Sequence, residues 1–189
     1  MPPVVAIDVG DVASKQTDEK VEGNQMYTAV EDGFWAFAVL FAAEFGLQNM
    51  HFISRTTRGT WHSHHGRLGR VEAWVVRLIR STGLLEMGMP EENIHLTPQK
   101  SGPNGKGVAS RDLQLTHMID NDLECLWSVL NDRAGNSGLS IRRRNGRVIQ
   151  YMGLRPVDSR WWRDEDDDWP ERCDSWFQVA GAFGGASVL

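Results

Sequence analysis

Short apolar runs alternate with longer amphipathic stretches along this chain. Val4-Val5-Ala6-Ile7 is apolar without interruption, the pattern of a strand buried on both faces, and predicts a strand over residues 3–7. Residues 13–25 are polar, with Lys15, Asp18, Glu19, Lys20, Glu22 and Gly23, and predict a mobile loop. Residues 27–45 are rich in alanine and aromatics and are followed by Gly46, placed where a helix takes its left-handed terminal residue. Phe34, Phe37, Val39, Leu40, Phe41 and Phe45 are too many for one face, which predicts a largely buried helix. His51-Phe52-Ile53-Ser54 predicts a second strand. Leu68, Val71, Trp74, Val75, Leu78 and Ile79 recur at helical spacing. Ile94-His95-Leu96-Thr97 predicts a third strand, 106–113 a short helix, 116–119 a fourth strand and 123–131 a further helix. Asn145-Gly146 lies at the centre of 140–152, between strand-like flanks, and predicts a hairpin.

Strands alternating with helices in this way imply βαβ units with right-handed crossovers. The fold class is therefore α/β: a three-layer, Rossmann-like domain with a mainly parallel sheet of about five strands and a C-terminal hairpin or tail. Residues 1–155 form the core domain. Residues 156–189 form a tail rich in tryptophan and acid, packed on the core or mobile. Its Trp161, Trp162, Trp169 and Trp176 interleave with the acids of 164–168, which repel nucleic acid and suit packing or a partner surface.

With 189 residues, 41% of them hydrophobic, the chain can build one core without disulfide or metal staples. A net charge of −5 gives no global attraction to nucleic acid or membrane surfaces. Cys125 and Cys173 stand far apart, and Cys125 falls in an apolar helical stretch as a reduced core thiol, which favours a reducing compartment. The N-terminus has no basic n-region followed by an apolar h-region. The apolar segment 34–45 is too short to span a bilayer. A cytoplasmic protein without membrane contact is the expectation.

Two of the strands end in an aspartate: Val4-Val5-Ala6-Ile7 runs into Asp8, and His117-Met118-Ile119 into Asp120. Open α/β sheets build sites beyond such tips, and two adjacent carboxylates would make a pocket for a hard cation such as Mg²⁺. The strand-Asp of IDVGDV, the strand-Ser of HFISR, a lysine in GPNGKGVASRDLQL and the strand-Asp of THMIDND follow one another. Their order resembles that of the four motifs of the haloacid dehalogenase-like (HAD) superfamily, across roughly residues 3 to 131.

The resemblance implies phosphoryl transfer from a phosphorylated substrate through an aspartyl intermediate, with Mg²⁺ as cofactor. In that scheme Asp8 is nucleophile and metal ligand, and the Gly10 carbonyl a further ligand. Ser54 donates its hydroxyl to a phosphoryl oxygen. Lys106, favoured over Lys100 because it opens the helix feeding the fourth strand, neutralises Asp8 and phosphate. Asp120 holds the metal, with Asp122 as helper. Phosphatases of the superfamily usually carry a second aspartate two positions after the nucleophile, as general acid and base; here that position is Gly10, and Asp11 follows it. The crossover after Asp8 leaves no room for a large cap domain. Capless members of the superfamily tend to act on large substrates, including proteins and nucleic-acid ends.

Other motifs carry less. Gly102-Pro103-Asn104-Gly105-Lys106-Gly107 lacks the first glycine and the Ser or Thr of a P-loop. His62, His64 and His65 approach a binuclear zinc motif but lack its aspartate, and read as a polar surface loop. Arg142, Arg143, Arg144 and Arg147 suit either a phosphate backbone or a charged sheet edge.

Overall fold

The computed structural model describes residues 2–21, 24–31, 33–55, 75, 78–97, 105–131, 141, 146–152 and 170–183. Strands β1 (Val5–Ile7), β4 (Met50–Arg55), β5 (Ile94–Thr97), β6 (His117–Asp120), β7 (Arg147–Tyr151) and β8 (Glu171–Cys173) form one six-stranded sheet in the order β5-β4-β1-β6-β7-β8. Every pairing in it is parallel. The remaining strands, β2 (Ser14–Val21) and β3 (Asn24–Val30), form a separate antiparallel ribbon. Helices α1 (Phe34–Phe45), α2 (Lys106–Asp112), α3 (Leu123–Asn131) and α4 (Trp176–Gly181) accompany the strands, with short 3₁₀ turns at Leu47–Asn49 and Glu91–Asn93.

Alternation along the strands divides the interior into two cores. Val5, Ile7, Phe52, Ile119 and Ile149 face one side, where Phe34, Phe37 and Phe41 of α1 and Trp176 of α4 pack on them. Ala6, Ile53, Met118 and Val148 face the other, against Leu126 and Val129 of α3 and Ala109 of α2. The helices thus cover both faces of the sheet, as a parallel sheet requires.

The ribbon replaces two expectations. Residues 13–25 were expected to be a loop, and the helix was expected to begin at residue 27; instead 14–21 pair with 24–30. Hydrophobic periodicity reports burial, and the sequence Ser14-Lys15-Gln16-Thr17-Asp18-Glu19-Lys20 has no apolar face to report. Tyr27, Thr28 and Val30 carry the β preference of aromatic and branched side chains, which the alanine and phenylalanine further on obscured. The helix itself begins at Phe34 and ends where expected: Gly46 sits at φ 83 and its N–H donates to the Ala42 carbonyl at 3.0 Å. It is also less buried than expected. Trp35, Val39 and Leu40 are exposed, because α1 meets the sheet and α4 along one side only.

The described residues of 140–152 do not form the expected hairpin. Ile141 is helical, and Arg147–Tyr151 runs parallel to β6. Gly146 is required for another reason: a Cβ there would lie 1.8 Å from the Thr116 carbonyl oxygen. The sheet also gains a sixth strand, Glu171–Cys173, whose three residues are too short to show a period. Trp176 follows it into the core, with ring centroids 5.1 Å from Phe34 and 5.0 Å from Tyr151. No helix among the described residues is long and apolar enough to cross a membrane.

Two positions give tests of the packing. A Cβ on Gly107 would meet the Ser128 carbonyl oxygen at 2.4 Å where α2 crosses α3. Gly107→Ala should therefore cost about 1–3 kcal/mol in urea unfolding, despite alanine's higher helix propensity; a stabilised variant would contradict the close contact. His117 is buried, stacks on Phe183 at 4.1 Å and has its pKa pushed down to about 4 by burial and by Arg147. The unfolded imidazole takes its proton first, near pH 6.5, so this histidine's contribution is intact above that pH and is lost as pH falls toward 4. Between pH 7 and pH 5 the wild type should lose roughly 2 kcal/mol more than His117→Gln does. Equal losses in paired urea titrations would show that His117 is protonated as easily in the fold as outside it.

Candidate functional site

Register brings the two strand-tip acids together. β1 and β6 are neighbours, with Ile7 opposite Ile119, so Asp8 stands level with Asp120. The ladder continues one residue past β1, because the Asp8 N–H donates to the Ile119 carbonyl at 2.9 Å. Both side chains leave the sheet on the α2–α3 side, following the alternation that sends Ala6 and Met118 there.

Lys106, the first residue of α2, reaches between them. Its Nζ donates to Asp8 Oδ1 at 2.5 Å and to Asp120 Oδ2 at 2.7 Å. Asp120 and Lys106 are almost wholly out of water, at 0% and 1% exposure, and Asp8 at 8% opens slightly toward it. Burial pushes the Asp8 carboxyl up to about 7; Lys106 pulls it down and Asp120 pushes it up. Burial alone would lower the Lys106 ammonium, but Asp120 and Asp8 outweigh it and hold the group above its ordinary range. Two carboxylates against one ammonium leave one surplus negative charge in a dry place. Such an excess is costly unless a cation or a proton offsets it.

The second oxygen of Asp120 is fixed by the loop that follows. Asp120 Oδ1 accepts from the Asp122 N–H at 2.9 Å, and Asp122 Oδ1 accepts from the Glu124 N–H, also at 2.9 Å. Asp122 thus caps α3 with its carboxylate and orients Asp120 with its backbone.

Ser54 lies on β4, the other neighbour of β1, half-buried and one residue beyond Ile53, which is level with Asp8. Gly10 lies in the turn leaving β1, where the Asp8 and Val9 carbonyls accept from the Ala13 and Ser14 N–H groups at 3.3 and 3.0 Å. Asp11 follows it in the left-handed region at φ 60, rare outside glycine, asparagine and aspartate. Partial burial raises its carboxyl above the ordinary value. Lys100, His62, His64, His65, Arg142, Arg143, Arg144, Trp161, Trp162 and Trp169 lie outside the described residues. Arg147 is described, and its guanidinium pairs with Glu171 at 2.6 Å.

One neighbour of the site, Gln150, was not singled out in the sequence, and a second, Cys125, was read there only as a core thiol. Gln150 is wholly buried and pairs in register with Asp120, on the side of the sheet that Val148 faces. Its signal was a polar residue at a core position of an apolar strand. Cys125 is buried beneath the cluster, and burial and Asp120 raise its thiol far above the ordinary range, leaving a neutral thiol rather than a nucleophile.

No protein-family model, curated protein or solved structure matches the chain. The residues themselves must carry the reading. Among the described residues no group of three or more His, Cys, Asp or Glu could hold a metal ion. Mg²⁺ asks less than that, since it keeps several waters and is commonly bound through one or two carboxylates. Asp8 and Asp120 supply hard oxygen donors, and their surplus charge has the sign a divalent cation would offset. The donor set therefore fits such an ion in charge and chemistry.

Proposed function

We propose that this protein is a HAD-like, Mg²⁺-dependent phosphoester hydrolase working through an aspartyl-phosphate. The observation that supports the reading is the buried Asp8–Lys106–Asp120 cluster at the C-terminal tips of two adjacent parallel strands. Buried carboxylates sharing one lysine stabilise a fold poorly, because desolvation offsets their attraction. Such arrangements are concentrated at functional sites.

In this scheme the free oxygen of Asp8 attacks phosphorus and the bond to the leaving alcohol breaks, with the proton delivered to that alcohol's oxygen. Water then attacks the phosphorus of the acyl phosphate, releasing inorganic phosphate and restoring the carboxylate. Lys106 holds the other oxygen of Asp8 in place and balances charge as the phosphoryl group arrives. Ser54 stands one residue beyond the level of Asp8 and is turned by alternation to the α1 side, so its hydroxyl would meet a phosphoryl oxygen only past the tip of β1. Asp11, beside the position usually taken by the general acid, is the nearest carboxyl in sequence available to hand over the proton. Mg²⁺, held by Asp8, Asp120 and the Gly10 carbonyl, would neutralise the phosphoryl oxygens.

Gly10 favours a second reading. Without an acid at that position, turnover should fall by roughly two to four orders of magnitude, and the domain would serve as a phosphate-binding or scaffold module. Incubation with an aryl phosphate and Mg²⁺ separates the two. Turnover that depends on Asp8 supports the hydrolase; metal-dependent phosphate binding without turnover supports the module.

A further inference from the structure

The edge of the sheet that carries Asp8 carries a second polar pair that phosphoryl transfer does not use. Arg55 ends β4 and Thr97 ends β5, and the two are paired in register. Ile53 packs in the α2–α3 core, so alternation carries Arg55 to that same side. Leu96 packs on the α1 side, which turns Thr97 away from it, toward the side where Lys106 meets the two acids. Thr97 is 5% exposed, and its Oγ1 has no hydrogen-bond partner among the described residues. An unmet buried hydroxyl costs about 1–3 kcal/mol, a cost that a hydrogen bond to a ligand atom would offset. Arg55, by contrast, is exposed and makes no ion pair among the described residues.

We propose that Arg55 and Thr97 form a subsite for a second anionic group, so that the preferred phosphoesters carry another phosphate or a carboxylate on the alcohol side. The proposal rests on the phosphoester reading above. Neighbouring strands lie about 4.8 Å apart, and Arg55 stands two residues beyond the level of Asp8. Its guanidinium therefore comes within roughly 10 Å of the reacting carboxylate, the span of a small aromatic or sugar unit. A guanidinium fork pairs in two-point fashion with planar carboxylates and with phosphoryl oxygens, and the Thr97 hydroxyl adds one donor. Asp8, Asp120 and Lys106 together repel an added anion; Arg55 lets the substrate extend its charge along the β4–β5 edge instead.

Three probes test this in Mg²⁺ buffer: phenyl phosphate, para-carboxyphenyl phosphate and para-phenylene bisphosphate. The wild type should favour one or both charged probes over phenyl phosphate by about tenfold or more in kcat/KM, and which one leads tells carboxylate from phosphate. Arg55→Ala should bring the ratio close to one, Arg55→Lys should restore part of it, and Thr97→Val should lower it about threefold. A wild-type ratio near one, or an equal loss on all probes in Arg55→Ala, would overturn the subsite while leaving the hydrolase reading intact. If no probe is turned over, that reading fails, and the subsite is read by calorimetry with benzylphosphonate and its para-carboxy derivative. Tighter binding of the carboxylated ligand, abolished by Arg55→Ala, upholds it; equal binding or none overturns it.

Discussion

Replacing Lys106 by methionine should cost about 3–5 kcal/mol of folding stability at neutral pH, a large part of what a domain of this size possesses. The ammonium stands 2.5 Å from Asp8 and 2.7 Å from Asp120, and its removal strands two carboxylates where water barely reaches. Methionine fills most of the volume, so the loss reports charge rather than a cavity. The cause can be isolated by adding Asp120→Asn to Lys106→Met, which removes one of the stranded charges. The double variant should recover part of the loss, with a coupling of about 1–3 kcal/mol in urea unfolding. Strict additivity would mean that lysine and aspartate do not interact in solution.

Asp8→Asn should do the opposite: activity on an aryl phosphate should drop by roughly a thousandfold or more while the fold keeps its stability or gains about 1–2 kcal/mol. Burial raises the Asp8 carboxyl to about 7, so its ionised form is disfavoured in the native state. A neutral amide removes that penalty and can still accept from Lys106. The stability arm belongs in chelator, where no cation offsets the charge; the activity arm belongs in Mg²⁺. A residue that weakens its own fold yet is needed for turnover is placed there by function. If Asp8→Asn destabilised the protein by several kcal/mol and left hydrolysis unchanged, the acid would be a structural partner of Lys106 and nothing more.

The parts of the fold legible in the sequence were those in which burial is periodic. β1 is an all-apolar run, and β4, β5 and β6 each carry two or three apolar residues among polar ones, because the sheet is covered on both faces; α3 was read at its full extent of Leu123–Asn131. What failed was legibility through polarity. The β2–β3 ribbon pairs backbone to backbone, a bond that leaves no trace in side-chain hydrophobicity. Gly146 looked like a turn glycine, yet it lies against the Thr116 carbonyl, a long-range contact that no local pattern encodes. At the site, the order of Asp8, Lys106 and Asp120 along the chain suggested a meeting, but strand order alone decides it: β1 next to β6 gives an ion-pair cluster, and any intervening strand would not. Gln150 and Thr97 became visible only with register and burial, since a buried polar side chain is recognised by what surrounds it.

The most direct test is chemical capture of the intermediate. The protein is acid-quenched during incubation with an aryl phosphate in Mg²⁺, reduced with borohydride, digested and sequenced by mass spectrometry. Reduction of an aspartyl phosphate converts that aspartate to homoserine, and the expected result is this change at position 8 alone, absent when substrate is omitted. Turnover that proceeds with Asp8 unaltered, or with the label on another residue, would contradict the central claim that the Asp8 carboxylate attacks phosphorus.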